Sequence, residues 1–286
     1  MVLETWVSAD KKVTTNVIES GRYSKKASEC ANCEVIIEKI QVTNASIEDL
    51  KEKYNSVILD GITKKSLVIG EANCEIDRLI ERAIQMMNIC EKREVTLDIT
   101  EDADLVIKFE ITLTNMLSYK PIWEWNPETK YSVALKYKET GVNLFKEHRW
   151  VDAFHKFSKA CKILVTLEPI SDLELEKSLE HDINNLRLVL YNNMAGCQLK
   201  RKNYEYTISL CTKILSKESN NVKALYRRGV AYGNLNNVEN AVADLRNAVS
   251  LEPGNRAAKE QFLIYDAKLQ EANQKFQDMV RRMFKA

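Results

Sequence analysis

Four polar side chains in the second half of the chain are of types that can hold an anion: Lys138, Asn193, Lys223 and Arg227. Lys223 and Arg227, four residues apart in "VKALYRRGVAYGNLN", stack on one face of a helix. Lysine offers a mobile point charge, arginine a planar fork of donors. An asparagine can donate to a carboxylate oxygen and accept a backbone N–H. Converging on one groove, such groups make a carboxylate site, each charge-assisted hydrogen bond being worth about 1.5–3 kcal/mol. Arg228 points about 100° around the helix from Arg227 and is expected against a neighbouring repeat or solvent.

Other reactive residues form no such set. Cys30 and Cys33 make a lone CxxC, and zinc would need a second ligand pair that Cys74 and Cys90 do not supply at short spacing. His148, His155 and His181 have no companion of catalytic type, and there is no phosphate-binding glycine loop or zinc-hydrolase signature. No metal, cofactor or catalytic constellation is expected.

The elements that must position the four residues are repeats. "VKALYRRGVAYGNLNNVENAVADLRNAVSLEP" aligns with the segment before it at a spacing of 34 residues, Gly229 with Ala195, Ala241 with Thr207 and Ala248 with Ile214. A third copy upstream carries Gly141, Trp150, Ala153, Phe157 and Ala160 at the same offsets. The units are 134–167, 188–221 and 222–255; Pro253 ends the last, and Ser219 stands at that place in the second. Residues 168–187 are extra, and their helical pattern predicts that both flanking helices are lengthened. Residues 256–286 read as one long helix capping the stack.

A 34-residue helix–turn–helix unit with small residues at helix crossings resembles the tetratricopeptide (TPR) repeat. The four polar residues resemble the carboxylate clamp of TPR co-chaperones. The resemblance implies a groove that holds the Glu-Glu-Val-Asp tail of the ninety-kilodalton heat-shock chaperone, with the seventy-kilodalton one as second candidate. The clamp's fifth position, four residues after the first lysine, is asparagine in the family and Val142 here, with Asn143 turned away beside it.

The front half reads as a small antiparallel sheet on one helix, an α+β arrangement. "DLVIKFEITL" at 104–113 alternates apolar and polar, as does "VTLDI" at 95–99, with an acidic turn between them at 100–104. "CEVIIEKIQV", "SVILDG" and "SLVIG" are further strand candidates. Ile76, Leu79, Ile80, Ala83, Ile84 and Met87 recur at helical spacing. "LVIGEANCEIDRLIERAIQMMNICEKREVTLDI" resembles the FKBP immunophilin domain, with Cys90 at the glycine position of that family's turn. Against the family pattern, Ile80 stands where the tryptophan of the isomerase pocket is found, Leu59–Asp60 where an aromatic–Asp pair is found, and the long loop has shrunk to 100–104. The resemblance therefore implies a degenerate isomerase fold without prolyl isomerase activity, joined to TPR repeats in the order of the FKBP–TPR immunophilins, of the FKBP-like type.

The 286 residues carry 42 Lys+Arg against 41 Asp+Glu, unevenly: 17 against 23 up to Val133, 25 against 18 from Ala134. An acidic front and a basic back point to two units with different partners. The expected layout is an FKBP-like domain over 1–117, a linker over 118–133 with Trp123 and Trp125 packing between the domains, TPR repeats over 134–255 and the capping helix. No run of about 18 apolar residues spans a membrane, the N-terminus lacks a signal-peptide core, and nucleic acid is not expected as a partner. Seven dispersed cysteines suit a reducing compartment, the cytoplasm or also the nucleus. The function expected is that of a non-catalytic co-chaperone, its FKBP-like domain contacting a client or second partner. The alternatives are a prolyl isomerase with residual activity and a TPR scaffold unrelated to chaperones. Phe276, Met279, Val280 and Met283 on the basic last helix raise calmodulin or a membrane surface as minor alternatives to packing on the last repeat.

Overall fold

Strict alternation builds the first unit. In the computed structural model, which describes residues 4–99, 105–117 and 120–284, the run Leu105, Ile107, Phe109, Ile111 and Leu113 turns every second side chain of β6 (Leu105–Leu117) inward. Beside it β5 (Lys92–Ile99) buries Val95, Leu97 and Ile99. β1 (Thr5–Val7), β2 (Val13–Glu19), β3 (Asn32–Val42) and β4 (Lys64–Val68) complete an antiparallel sheet in the order β1-β2-β5-β6-β3-β4. Its edges are a three-residue strand and a strand opening on Lys64 and Lys65, both poor templates for a further strand. The turn expected at 100–104 lies outside the described residues.

The predicted helix is present as α2 (Glu75–Ile84), after a six-residue α1 (Ile47–Glu52) closed by a Ser46–Asp49 capping box. Ile76, Leu79, Ile80, Ala83 and Ile84 of α2 lie in the same core as the inward face of the sheet. "SVILDG" is not a strand. Ser56 Oγ donates to Asp77 Oδ1 at 2.5 Å and the Val57 N–H to Oδ2 at 3.0 Å, so Asp77 holds the segment in bends while Leu59 fills the core. β1, β2 and α1 were not among the sequence expectations.

Cys90, at the family's glycine position, has φ of +61°, a left-handed conformation that glycine adopts without strain. The Glu91 carboxylate secures this turn by accepting from the Asn88 N–H at 2.7 Å and its Nδ2 at 2.8 Å.

The chain divides into Met1–Asn126 and Pro127–Ala286. The expected linker over 118–133 is therefore shorter. A 3₁₀ turn, Ile122–Glu124, belongs to the first unit, and Pro127, with φ preset and no N–H to satisfy, opens α3. Of the two tryptophans expected to pack, Trp125 is buried, its indole N–H donating to the Lys120 carbonyl, whereas Trp123 is 81% exposed.

The second unit is helical: α3 (Pro127–Lys146), α4 (Trp150–Val165), α5 (Lys177–Lys200), α6 (Tyr204–Leu215), α7 (Val222–Asn234), α8 (Val238–Leu251) and α9 (Arg256–Met283). The repeat shows in its punctuation. Asn203 and Asn237 cap α6 and α8, and Asn221 and Asn255 cap α7 and α9, each pair 34 residues apart and each side chain accepting a first-turn N–H. At Gly229 a β-carbon would sit 2.8 Å from Leu245 Cγ, so α7 and α8 cross where only glycine fits.

Of the two helices expected to be lengthened by 168–187, only α5 is, reaching back to Lys177. α4 stops at Val165, and after Pro169, which cannot supply a helical N–H, the chain makes a 3₁₀ turn over Ile170–Leu173. α9 caps the last repeat through its first half, where Ala258 and Tyr265 are buried. Phe276, Met279 and Met283 on its second half are exposed.

Candidate functional site

Three of the four residues expected to hold an anion meet in one cavity of about 710 Å³ between α5 and α7: Asn193, Lys223 and Arg227. Lys138 stands half-exposed on α3 and does not line it; Val142, one turn on, is also half-exposed. Val189 and Val222 give the cavity an aliphatic side, and Lys217, Glu218 and Glu252 stand among its walls.

The cavity is built from the helix ends upward. Asn221 caps α7, its Oδ1 accepting from the Ala224 N–H at 3.0 Å. The same Oδ1 accepts from Asn192 Nδ2 at 3.4 Å, and Asn221 Nδ2 donates to Glu218 Oε2 at 2.8 Å. Asn192 in turn offers its Oδ1 to Arg227 Nη1 at 3.0 Å. One line of hydrogen bonds thus runs from the turn before α7, through α5, to the guanidinium. Arg227 lies flat on Gly196, where a β-carbon would meet its Nη2, Nε and Cζ at 3.4–3.6 Å.

The electrostatics set Arg227 apart. Burial draws its affinity for a proton below the ordinary arginine value, but a guanidinium stays charged throughout the physiological range. The neighbouring Cys197 and Cys211 thiols are pushed up to about 12 by burial, so both are neutral and give no counter-charge. Among the described residues no carboxylate lies within ion-pair distance of Arg227.

Arg228 differs in every respect. Its Nε and Nη2 donate to the two oxygens of Asp244 at 2.7 and 2.8 Å, a bidentate pair that raises its proton affinity. Its Nη1 reaches Thr212 Oγ1 at 3.3 Å, and Tyr232 stands below it. The partner is thus an acid of its own repeat.

Sequence reasoning missed Asn192 and Asn221. Asn192 is a buried polar residue, and such a group must have a partner, but neither its burial nor its partner shows in the sequence around it. Elsewhere, Cys33 on β3 is a free thiol in the core, pushed up to about 11 by burial, and Cys30 precedes that strand. No helix among the described residues is long and apolar enough to cross a membrane.

Residues 6–118 match the family described as BDBT FKBP like N-terminal, and residues 126–209 match Bride of doubletime-like, TPR domain. The chain thus carries an FKBP-like region followed by a TPR region. The chain is similar to FK506-binding protein-like of Homo sapiens, with 29% identity over 79% of this chain and 60% of that one. It is similar to human Peptidyl-prolyl cis-trans isomerase FKBP4, with 31% identity over 76% of this chain and 49% of that one. It thus spans about half to three-fifths of the length of these relatives. The crystal structure of residues 1–211 of CG17282 shares the fold at a TM-score of 0.59 and 24% identity, covering 71% of this chain and 97% of that one.

Proposed function

We propose that the protein is a non-catalytic co-chaperone whose TPR groove grips the acidic C-terminal tail of the ninety-kilodalton heat-shock chaperone, the seventy-kilodalton one being the second candidate. The observation that carries this reading is Arg227: half-buried, charged, oriented by Asn192 and without a carboxylate, next to Arg228, which has one. A cation withdrawn from water and met by one amide and neutral thiols gains most from an anion that arrives from outside. Lys223 and Asn193 on the same cavity add a second charge and a donor, and Val189 and Val222 suit a small aliphatic residue between the acids.

The FKBP-like unit serves in this reading as a binding module for a client or second partner. Ile80 and Leu59, at the positions of the family's pocket aromatics, are wholly buried aliphatic residues of the core. Such packing leaves them no aromatic wall to offer a prolyl substrate. The cytoplasm, with the nucleus as a second compartment, is the proposed location, a reducing setting that suits the dispersed thiols.

Calorimetric titration of a Glu-Glu-Val-Asp peptide tests the groove. Arg227→Ala should weaken binding by about 1.5–3 kcal/mol, roughly ten- to a hundredfold, and Arg228→Ala should leave it near wild type. Equal losses in the two variants, or no binding by wild type, would overturn the reading. A protease-coupled proline-isomerisation assay should show no turnover above background; clear turnover would restore the isomerase alternative.

A further inference from the structure

The 20 residues that interrupt the repeats have no role in the groove just described, yet they build a second cavity beside it. This space of about 590 Å³ takes Glu168, Ile170, Asn184 and Arg187 from that segment. Leu188 and Tyr191 of α5 add an apolar and aromatic floor, and Lys213 and Lys217 close it from the end of α6. Its three cations face one acid, Glu168, which pairs with Arg187 Nη1. Arg187 Nε is buried and has no hydrogen-bond partner.

The two cavities adjoin. Lys217 lines both, and consecutive residues of α5 divide between them: Leu188 and Tyr191 line the second, Val189 and Asn192 the first. A ligand whose end sits on Arg227 and Lys223 has its preceding residues close to a surface of excess positive charge with an apolar floor.

We propose that the second cavity binds the acidic stretch preceding the terminal residues held in the groove. A side-chain carboxylate is met by Arg187 and Lys213, and an aliphatic side chain rests on Ile170, Leu188 and Tyr191. The proposal rests on the tail-binding reading. Charge complementarity favours an acidic peptide, and the apolar floor favours a peptide over a bare phosphate group, which has nothing to place there. The lengthened α5 thereby becomes a specificity device: it extends recognition beyond the last four residues of the ligand.

The test compares two peptides by calorimetry on the full chain. One is Glu-Glu-Val-Asp; the other, of about twelve residues, ends in the same four and carries Glu-Leu-Glu upstream. The longer should bind about tenfold more tightly, the worth of one further charge-assisted hydrogen bond. Arg187→Ala with Lys213→Ala should remove that gain and leave the short peptide's affinity unchanged, which also shows that the variant is folded. Leu188→Glu, which sets a like charge on the floor, should remove it too. Equal affinity for the two peptides in wild type, or a gain that survives these variants, overturns the proposal while the groove reading stands. If neither peptide binds, both fall. If only the long peptide binds, Arg227→Ala decides: loss of that binding keeps both readings, and unchanged binding overturns both.

Discussion

In the first unit Glu91 and Arg93 lie almost wholly out of solvent, and their side chains meet each other directly, Arg93 also reaching Thr15 Oγ1 at 2.9 Å. In the second, Arg227 is drawn against Gly196 with an amide as its hydrogen-bond partner. Asp77 and Glu81 follow the pattern of the first unit, each accepting two hydrogen bonds from nearby backbone or hydroxyl groups. A buried charge whose partners are all internal fixes a conformation. Arg227, held in position by one hydrogen bond to an amide with most of its donors still unused, keeps its strongest interaction for a visitor. Burial alone therefore does not mark a site; burial combined with an incomplete set of partners does.

The contrast can be broken most forcefully at the ion pair. Glu91→Ala should destabilise the first unit by about 3–5 kcal/mol, because Arg93 is left buried without its acid; chemical denaturation followed by circular dichroism should show an early transition confined to that unit. Arg227→Ala should cost the second unit under about 1 kcal/mol, since it removes a cation that has no acid to abandon; a larger shift in its transition would put Arg227 with the structural charges. Gly229→Ala comes next, at about 1–3 kcal/mol from overpacking against Leu245, read as a lower midpoint for the helical unit. Val142→Asn should strengthen tail binding by at most about 1 kcal/mol, because Lys138 and Val142 stand on α3 and do not line the main cavity; a tenfold gain would move the centre of the site toward α3.

The smallest effect concerns acid. Asp10, bound to Arg82 Nη1 at 2.8 Å and to Ser8, has its carboxyl held well below the usual range. A depressed carboxyl stabilises the fold above its unfolded value of 3.8 and loses that contribution as pH falls through the folded value. The pair is exposed and screened, so Asp10→Asn should flatten the acid limb of a stability–pH curve only slightly, leaving the neutral value little changed.

Period and alternation made much of this fold legible. β6 follows from its five inward side chains, α2 from its apolar stripe, and the repeats from their spacing and small crossing residues. "SVILDG" shows where local pattern gives way: three adjacent apolar residues promise a strand, but Asp77, 20 residues on, captures the backbone first. β1 and β2 escaped notice because β1 is only three residues long and Thr14, Thr15 and Asn16 dilute the alternation of β2. In the site, the helical face bearing Lys223 and Arg227 could be read from a four-residue step. The asparagine that aims Arg227 could not, because its role depends on a helix 35 residues away, and the 168–187 cavity could not, because insertion length alone does not say which way a helix grows.

The capping asparagines carry a consequence for editing the molecule. Asn221 and Asn255 start equivalent helices, so the stretch between them is a complete tile with matching joints. A second tile spliced in at Asn255 would meet the same asparagine at each seam, carry α9 outward by one helix pair and leave Arg227, Asn192 and Gly196 in register. The protein could thus be made longer, with another groove-facing Lys–Arg pair from the copied α7, without redesigning any contact that the present pocket uses.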